Sequence, residues 1–427
     1  MPFSSPGTRH ASILFCARAR TALCQRRPTA PARFTIPLHT SFSTHHKTDQ
    51  RRVTSDFRSD TLTQPTDEMF RVMQQASRGD DVYAEDSSVK ALEAHVAQLT
   101  GHEAGLFCAS GTMTNQLAFR ASLVIPPASI LCDSRSHVYR YEAGGLAAHS
   151  HLTVCPVKPM LNKGHHLTVQ DLEHEFIVDD GDVHMAPTRL ISLENTLDGT
   201  VMPLQEVQAI GRFAKEKGVL LHLDGARIWN ATVAQGCELQ DYTREFNSAS
   251  LCVSKGIGAP IGSVLVGNQG FIQKAKHFRK MFGGGWRQAG GIAAAAHWCI
   301  DNVWPTMKET HALAQQLAEG LERNAPGSQI YIPVETNMVF LDLAGSGILL
   351  RDLSRRLYSE KGIEIGNRDA PDNQTQVRLV LHWQITTSAV EDFLSVIKQM
   401  GSTAQASAER TTAVPLSGTR KRIYGSH

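Results

Sequence analysis

The sequence predicts an α/β protein with two domains: a larger one built on a mainly parallel β-sheet, and a smaller α+β domain after it. Short apolar runs rich in β-branched residues alternate with amphipathic segments of helical period over residues 49–300. Strands that alternate with helices form parallel sheets covered on both faces. The pattern changes over residues 301–400, and a chain of 427 residues is long enough for more than one domain.

The strands of the larger domain are predicted from apolar runs that end in polar residues. Residues 189–196 (RLISLENT), 218–227 (GVLLHLDGAR) and 249–256 (ASLCVSKG) show this pattern most clearly. Residues 204–218 carry apolar side chains at helical spacing and end in a glycine, the residue that often follows a helix. The Ala-rich residues 288–304 predict the beginning of long helical structure that leaves the sheet.

The smaller domain is predicted from a mixed order of helices and strands. Its helical segments are 306–324, 351–362 and 388–400, and its strand segments are 337–343 and 376–382. Residues 401–427 are rich in Ser, Thr and Ala, and we expect them to form a disordered tail.

The first 48 residues differ in composition from the rest of the chain. They contain seven basic residues, no acidic residue and twelve Ser or Thr, with apolar residues scattered among the arginines. This composition is typical of a transit peptide, whereas a secretory signal has a compact apolar region. We therefore predict a leader over residues 1–48 and mitochondrial import. The alternatives are a disordered extension or a misplaced start codon on a cytoplasmic protein.

Composition argues against several classes of protein. No apolar stretch reaches the roughly 18 residues that span a bilayer, so a membrane protein is not expected. Beyond the leader, 36 basic and 41 acidic residues give a net charge of −5, which does not support nucleic-acid binding. The eight cysteines include no CxxC pair and lie mostly in apolar surroundings, which favours free thiols over disulfides or a zinc site.

Polar side chains follow three of the predicted strands. Glu194 and Asn195 end the first, Asp224 and Arg227 follow the second, and Lys255 follows the third. In sheets of this kind, ligands bind beyond the carboxyl ends of the strands. One such residue is more often an ordinary cap or ion pair. However, the spacing from Asp224 to Lys255 fits one strand-helix-strand unit, and the three strand ends together predict a ligand site.

A fourth segment adds a phosphate site to this prediction. Ser110, Gly111 and Thr112 form a small turn before an apolar-faced helix, and the amide groups of a helix N-terminus favour an anion. Alone, the turn would be read as an ordinary N-cap. A lysine amine, a carboxylate and a phosphate site together suit the aldehyde, ring nitrogen and phosphate of pyridoxal 5'-phosphate. We therefore predict this cofactor, and no nicotinamide-binding motif competes with it.

Eight segments carry a family pattern, in order and at natural spacings. They are FRSDTLTQPT (57–66), GDDVYAEDSSV (79–89), HVYRYEAGG (137–145), SLENT (192–196), HLDGARIWNA (222–231), VSKGIGAPIGSVLVG (253–267), RKMFGGGWRQAG (279–290) and VRLVLHW (377–383). Together they strongly resemble the L-threonine aldolases, which are fold type I pyridoxal phosphate enzymes. The resemblance covers roughly residues 55–400 and implies an aspartate aminotransferase-like fold for the larger domain.

The resemblance implies cofactor-binding roles for individual residues. Lys255 would bind the cofactor aldehyde covalently, and Asp224 would pair with the ring nitrogen. Ser110, Gly111 and Thr112 would surround the phosphate.

Three further residues are assigned by the resemblance. Arg287 would reach a cofactor phosphate in a neighbouring subunit, which implies a homo-oligomer, either a dimer or a tetramer. His137 would stack on the cofactor ring, and His184 would be a second active-site histidine near the substrate hydroxyl.

The implied substrate is a small amino acid held by its carboxylate. Ser59, Arg227 and Arg378 would bind this carboxylate, since the planar fork of arginine can bind both oxygens, and Arg227 is also assigned to the cofactor site. The implied reaction is cleavage of L-threonine, L-allo-threonine or both to glycine and acetaldehyde. Either His137 or His184 would remove the β-hydroxyl proton, and the sequence does not rank the two.

Two alternatives to this reaction remain open. Some relatives with the same motifs are amino-acid racemases, which break the bond from Cα to hydrogen instead. An inactive structural relative is the third possibility, and the intact lysine, aspartate and arginine set argues against it. The sequence departs from the family pattern at Ala84, where a glycine is expected, and at Leu381, where many relatives have a small polar residue. Both departures lie near the expected substrate pocket.

Overall fold

A computed structural model describes residues 53–122, 125–160 and 164–412, with side chains described as far as residue 404. The predicted leader, residues 1–48, lies outside these ranges, so mitochondrial import stays a prediction. Among the described residues, every helix is too short or too polar to cross a bilayer. The six described cysteines are free thiols.

A seven-stranded sheet forms the centre of the larger part of the fold. Its strands are β1 (Ala104–Cys108), β2 (Ser129–Asp133), β3 (Thr153–Val157), β4 (Thr188–Glu194), β5 (Leu220–Asp224), β6 (Ser248–Cys252) and β7 (Ser263–Gly267), in the spatial order β1-β7-β6-β5-β4-β2-β3. The five strands from β6 to β3 are parallel, while β7 is antiparallel to both of its neighbours. The three strands predicted most clearly are β4, β5 and β6, which are adjacent in the sheet.

Helices connect these strands. They are α1 (Asp67–Gln75), α2 (Ser87–Thr100), α3 (Gly111–Ala121), α4 (His137–Arg140), α5 (Gly145–Ser150), α6 (Val169–Glu175), α7 (Leu204–Lys217), α8 (Ile228–Gln235), α9 (Leu239–Thr243), α10 (Gln269–Met281) and α11 (Gly290–Asn302). Neighbouring residues of β2 pack in different hydrophobic cores. Leu131 lies in the largest hydrophobic cluster, and Ile130 lies in a separate cluster. Because successive side chains point to opposite faces, the sheet is buried on both sides, as predicted.

A three-stranded antiparallel sheet lies at the centre of the smaller part of the fold. It contains β8 (Gln329–Ile330), β9 (Met338–Asp342) and β10 (Gln376–Val380), and it packs with α12 (Met307–Asn324), α13 (Leu350–Lys361) and α14 (Thr387–Thr412). Leu381 is fully buried in this second core. Its side chain therefore packs in the protein interior and does not line the active-site cavity, although the sequence predicts a position near the substrate pocket.

The N-terminal segment of the described chain belongs to the smaller core. Phe57 is fully buried there; its N–H donates to Glu364 O at 2.8 Å, and its carbonyl accepts from Val380 N at 2.8 Å. The predicted boundary at residue 300 therefore does not separate the two cores completely, because this segment returns to the C-terminal part of the chain. The segment ends directly before Ser59 and Asp60.

The C-terminal helix is longer than the sequence pattern indicates. Helix α14 extends to Thr412, beyond Met400 where the predicted helix ends. Residues 401–412 include Ala, Gln, Glu and Arg, which have high helix propensity and so continue the helix. They show no large apolar side chains at helical spacing, so the hydrophobic pattern does not predict this extension. The rest of the predicted tail, residues 413–427, lies outside the described residues.

Ala84 adopts a left-handed backbone conformation, which explains why a glycine is expected at this position. Its φ angle is +56°, a region that costs an L-residue roughly 1–2 kcal/mol. We predict that Ala84→Gly stabilises the fold by about 0.5–1 kcal/mol, because the relief of strain exceeds the entropic cost of glycine. Urea unfolding measures the change. Ala76→Gly is the control, since Ala76 has a φ of −67° and its replacement should destabilise the fold.

Candidate active site

A cavity of about 520 Å³ lies at the carboxyl edge of the parallel strands. It brings together five residues predicted from the sequence, namely Ser59, His137, Arg227, Lys255 and Arg378. The cavity is also lined by Arg135, Arg140, Tyr141, Glu194 and Asp198, so charged side chains dominate its wall. The sequence alone predicts no role for the two additional arginines or for the tyrosine.

Lys255 is positioned by a tight turn after β6. The strand itself is fully buried, and the N–H of Gly258 donates to the carbonyl of Lys255 at 2.7 Å, which closes the turn. The side chain is half-buried and lines the cavity. The position of Lys255 beyond a strand end therefore agrees with the sequence prediction.

The glycines after Lys255 are required by the packing of the protein itself. Gly258 has a φ of +84°, and a Cβ there would lie 2.4 Å from Trp383 Nε1. Gly262 has a φ of +117°, and a Cβ there would lie 2.3 Å from a ring carbon of Phe107. Both positions therefore exclude any larger residue, because the conformation and the neighbouring aromatic rings leave no room.

Two acidic residues lie side by side at the ends of β4 and β5. Glu194 and Asp224 are register partners in the parallel pair. Burial and the charge of Asp224 raise the pKa of Glu194 to about 8, although a hydrogen bond of 2.7 Å from the His137 N–H favours the carboxylate. The protonated form of Glu194 is therefore more favoured than in a free glutamate, because two adjacent buried carboxylates repel each other.

Asp224 is held by an amide from α3. Its Oδ2 accepts from Asn115 Nδ2 at 2.8 Å, and its Oδ1 accepts from the Ala226 N–H at 3.1 Å. Asn115 Oδ1 lies 3.1 Å from His222 Nε2, while His222 Nδ1 lies 2.8 Å from the Ser248 hydroxyl. Burial lowers the pKa of His222 to about 4, so this ring is neutral and donates from Nε2 to the amide oxygen. The orientation of Asn115, and with it that of Asp224, is thereby fixed.

The same amide also holds a buried glutamate that contacts His137. Glu142 Oε1 accepts from Asn115 Nδ2 and lies 2.9 Å from His137 Nδ1, while Oε2 accepts from Gln116 Nε2 at 2.6 Å. The Glu142 side chain is completely buried. A carboxylate at this position favours the tautomer of neutral His137 with the proton on Nδ1, which leaves Nε2 as a potential base.

Arg227 is paired with a buried aspartate. Its Nε and Nη2 donate to the two carboxylate oxygens of Asp60 at 2.8 and 2.6 Å. Burial alone would raise the pKa of Asp60, but the charge and hydrogen bonds of Arg227, with a contribution from Lys255, lower it to about 2. The ion pair orients the Arg227 guanidinium and leaves Nη1 outside the pair.

Arg378 differs from Arg227 because it is not neutralised. It is exposed on β10, lines the cavity, and makes no ion pair within the described residues; its Nη2 reaches only the Arg58 carbonyl, at 3.5 Å. Ser59 lies at the same cavity and caps a short 3₁₀ helix, Asp60–Leu62, with its hydroxyl oxygen. An unpaired guanidinium next to a hydroxyl is suited to bind a carboxylate.

The predicted phosphate site is a normal helix N-terminus with space in front of it. Ser110 caps α3 by accepting from the Met113 N–H at 3.1 Å, so its hydroxyl oxygen already has a partner. A Cβ placed on Gly111 would meet no atom of the described residues within 4 Å. Gly111 and Thr112 are half-buried at this N-terminus, and Asn115 of the same helix contacts Asp224.

Six residues assigned by the resemblance do not line the cavity: Asp224, Ser110, Gly111 and Thr112, described above, and His184 and Arg287. His184 is exposed in the loop before β4, at the amino end of a strand whose carboxyl end carries Glu194. The role assigned to His184 is therefore not supported within this chain. Arg287 is also exposed and pairs with Asp80 at 3.0 Å, away from the cavity of its own chain.

The fold agrees with a comparison to known families. The beta-eliminating lyase family model matches residues 56–346. The chain belongs to this family. The low-specificity L-threonine aldolase of Saccharomyces cerevisiae is 52% identical over 290 residues, which cover 68% of this chain and 74% of the relative. The resemblance found in the sequence is therefore confirmed.

Two less similar proteins also match this chain. The solved structure of a Leishmania major threonine aldolase superposes with a TM-score of 0.67 at 22% identity, covering 81% of this chain and 99% of that chain. This likeness confirms the predicted fold class. Alanine racemase TOXG of Cochliobolus carbonum is 37% identical over 349 residues, covering 80% of this chain and 86% of the relative.

Proposed function

We propose that the protein is a pyridoxal phosphate-dependent lyase that cleaves L-threonine, L-allo-threonine or both to glycine and acetaldehyde. The observation that carries the proposal is one cavity, next to the buried Asp224, that contains Lys255, His137 and Arg378, which has no ion-pair partner among the described residues. Relatives named as low-specificity L-threonine aldolases in four fungi are 44–52% identical to this chain.

The residues present fit the cofactor. Asp224 offers the ring nitrogen a buried carboxylate that is already oriented by two hydrogen bonds. The N-terminus of α3, with open space at Gly111, offers amide groups to the phosphate, and Lys255 offers an amine to the aldehyde. When bound, the cofactor supplies an electron-withdrawing ring that stabilises the negative charge left on Cα.

Arg378 and Arg227 contribute differently to substrate binding. Arg378 binds the substrate carboxylate, because its guanidinium carries an uncompensated charge at the cavity. Arg227 is already paired with Asp60, so it contributes a fixed donor, Nη1, and less net charge. Fixing the carboxylate orients the bonds at Cα and thereby selects which of them breaks.

His137 acts as the base that removes the β-hydroxyl proton. It lines the cavity, whereas His184 does not, and Glu142 keeps the proton of the neutral ring on Nδ1. Nε2 then accepts the hydroxyl proton as the bond from Cα to Cβ breaks and the aldehyde forms.

Glu142 is a positioning residue for His137, and its replacement should affect the chemical step. In Glu142→Gln an amide nitrogen can face Nδ1 and disturb the tautomer, so we expect kcat to fall by about 10²-fold. KM should change little, because Glu142 does not line the cavity. The rate and its pH profile are measured with L-threonine. An unchanged kcat and pH profile would show that Glu142 has only a structural role.

Product analysis tests the proposed reaction. We expect acetaldehyde and glycine from L-threonine, L-allo-threonine or both, and no D-alanine from L-alanine. The racemase alternative is kept because of the TOXG relative, and it predicts D-alanine without acetaldehyde. Absence of acetaldehyde from both threonine isomers with the cofactor-loaded protein would overturn the proposal. Arg378→Met is a further test of substrate binding, because KM for threonine should rise in this variant.

We also propose that the protein is a homo-oligomer in which Arg287 reaches the cofactor phosphate of a neighbouring subunit. The support is that Arg287 is exposed and does not line the cavity of its own chain. Light scattering measures the oligomer, and Arg287→Met should weaken cofactor binding without changing the oligomer. A monomer with full activity would contradict this assignment.

A further inference from the structure

A second cluster of potential ligands lies away from the cavity. His95 is on α2, while His297 and Asp301 are one turn apart on α11, which packs against α2. One ligand atom from each residue lies within 4.8 Å of the other two. None of the three lines the active-site cavity.

Two of the three distances in this cluster are close to those between ligands of one metal ion. His95 Nε2 lies 3.2 Å from Asp301 Oδ1, and His297 Nε2 lies 3.7 Å from Asp301 Oδ2. Ligand atoms at about 2.0–2.2 Å from a tetrahedral zinc ion are roughly 3.3–3.6 Å apart. Rotation of the two imidazole rings, with small shifts of Asp301, would therefore complete such an arrangement.

The hydrogen bonding of the cluster is incomplete. His95 Nε2 is buried and has no hydrogen-bond partner within the described part of the chain. Its contact with Asp301 is close, but it lacks hydrogen-bond geometry. Buried polar atoms normally have a partner, so this nitrogen requires an explanation. A cation between the three side chains would satisfy it.

We propose that His95, His297 and Asp301 bind a divalent transition metal of the zinc class, with water completing the coordination. Two imidazoles and one carboxylate suit zinc, cobalt or nickel, whereas magnesium and calcium prefer oxygen ligands. The two rings stack at 4.4 Å with an angle of 25° between their planes, so binding requires them to rotate until both nitrogens face the ion.

The metal would add a link between α2 and α11, which already pack against each other. The beginning of α11 already touches the N-cap of α2, because a Cβ on Gly290 would lie 2.8 Å from Asp86 Oδ1. The cluster lies about two turns further along both helices. Since none of its three ligands lines the cavity, the metal stabilises the fold and takes no part in the reaction.

Metal titration of the intact protein tests this site. The cofactor-loaded protein is treated with chelator, dialysed, and titrated with Co²⁺ while visible absorption and melting temperature are recorded. We expect one ion per chain, the visible bands of tetrahedral or five-coordinate cobalt without a thiolate charge-transfer band, and a higher melting temperature. Mg²⁺ should produce neither the bands nor the thermal shift.

Variants assign the binding to the three residues. His95→Gln and His297→Gln should each weaken Co²⁺ binding by at least about 10-fold, whereas His277→Gln, an exposed histidine on α10, should not. Asp301→Asn is an additional variant at an exposed position that should not impair folding. Equal Co²⁺ affinity in wild type and the ligand variants, or no binding by the wild type, would overturn the proposal. These readouts do not depend on the proposed lyase activity.

Discussion

Lys255→Ala is expected to abolish the cleavage of threonine. Lys255 is the amine that we assign to the cofactor aldehyde, and removal of such a nucleophile typically lowers kcat by on the order of 10³-fold or more. Acetaldehyde release, coupled to a dehydrogenase, measures the rate. The visible absorption of the cofactor-loaded protein should also change, because the covalent link is lost.

The control for this prediction is another lysine of the same chain. Lys274 is exposed on α10 and does not line the cavity, so Lys274→Ala should retain the activity and the colour of the wild type. Retention of more than about a tenth of the wild-type kcat by Lys255→Ala would contradict the assigned role. The same rate loss in Lys274→Ala would point to a general effect on folding.

Asp60→Asn should destabilise the fold and disturb Arg227. Asp60 is completely buried and binds Arg227 through two hydrogen bonds, while Asn337 Nδ2 lies 3.4 Å from the same carboxylate. Breaking a buried ion pair by removing one partner typically costs about 3–5 kcal/mol. Urea unfolding at neutral pH measures this loss. We also expect KM for threonine to rise, because the Arg227 fork is no longer oriented.

The pH dependence of this effect follows from the pKa of Asp60. Its pKa is lowered from 3.8 to about 2, so its ionised form is favoured in the folded state. The stabilisation is therefore fully present above the unfolded pKa and is lost as the pH falls from about 4 to about 2. The difference in unfolding free energy between wild type and Asp60→Asn should be constant from pH 7 to about 4 and should shrink below that. A difference that is independent of pH would contradict the ion-pair explanation.

A double-mutant cycle with Arg227→Met separates the pair from its surroundings. If Asp60 and Arg227 act together, the double variant should be more stable than the sum of the two single losses predicts. Additive losses would mean that each residue stabilises the fold through other contacts.

The strand ends of the sheet could be predicted from the sequence because their pattern is local. An apolar run followed by a polar residue marks the end of β4, β5 and β6, and these strands are adjacent. As a result, the sequence pattern alone predicts that Glu194, Asp224 and Lys255 lie at one edge of the sheet. The composition of the runs also predicted that both faces of the sheet are buried.

The contacts that orient these residues could not be predicted in the same way. Asp60 and Arg227 are 167 residues apart, and Asn115 and Asp224 are 109 residues apart. No periodicity links such pairs, because they meet only through the crossover connections of the sheet. The folding of Phe57 onto the smaller core has the same origin. The signal that could have drawn attention to Asp60 was its place next to Ser59 in the first family segment.

The position of covalent cofactor attachment tests the central claim most directly. The cofactor-loaded protein is reduced with borohydride, digested, and its peptides are mapped by mass spectrometry. We predict that the phosphopyridoxyl mass appears on the peptide that contains Lys255, which follows β6 at the active-site cavity. Labelling of a different lysine, or no labelling of an active and cofactor-loaded protein, would contradict the account.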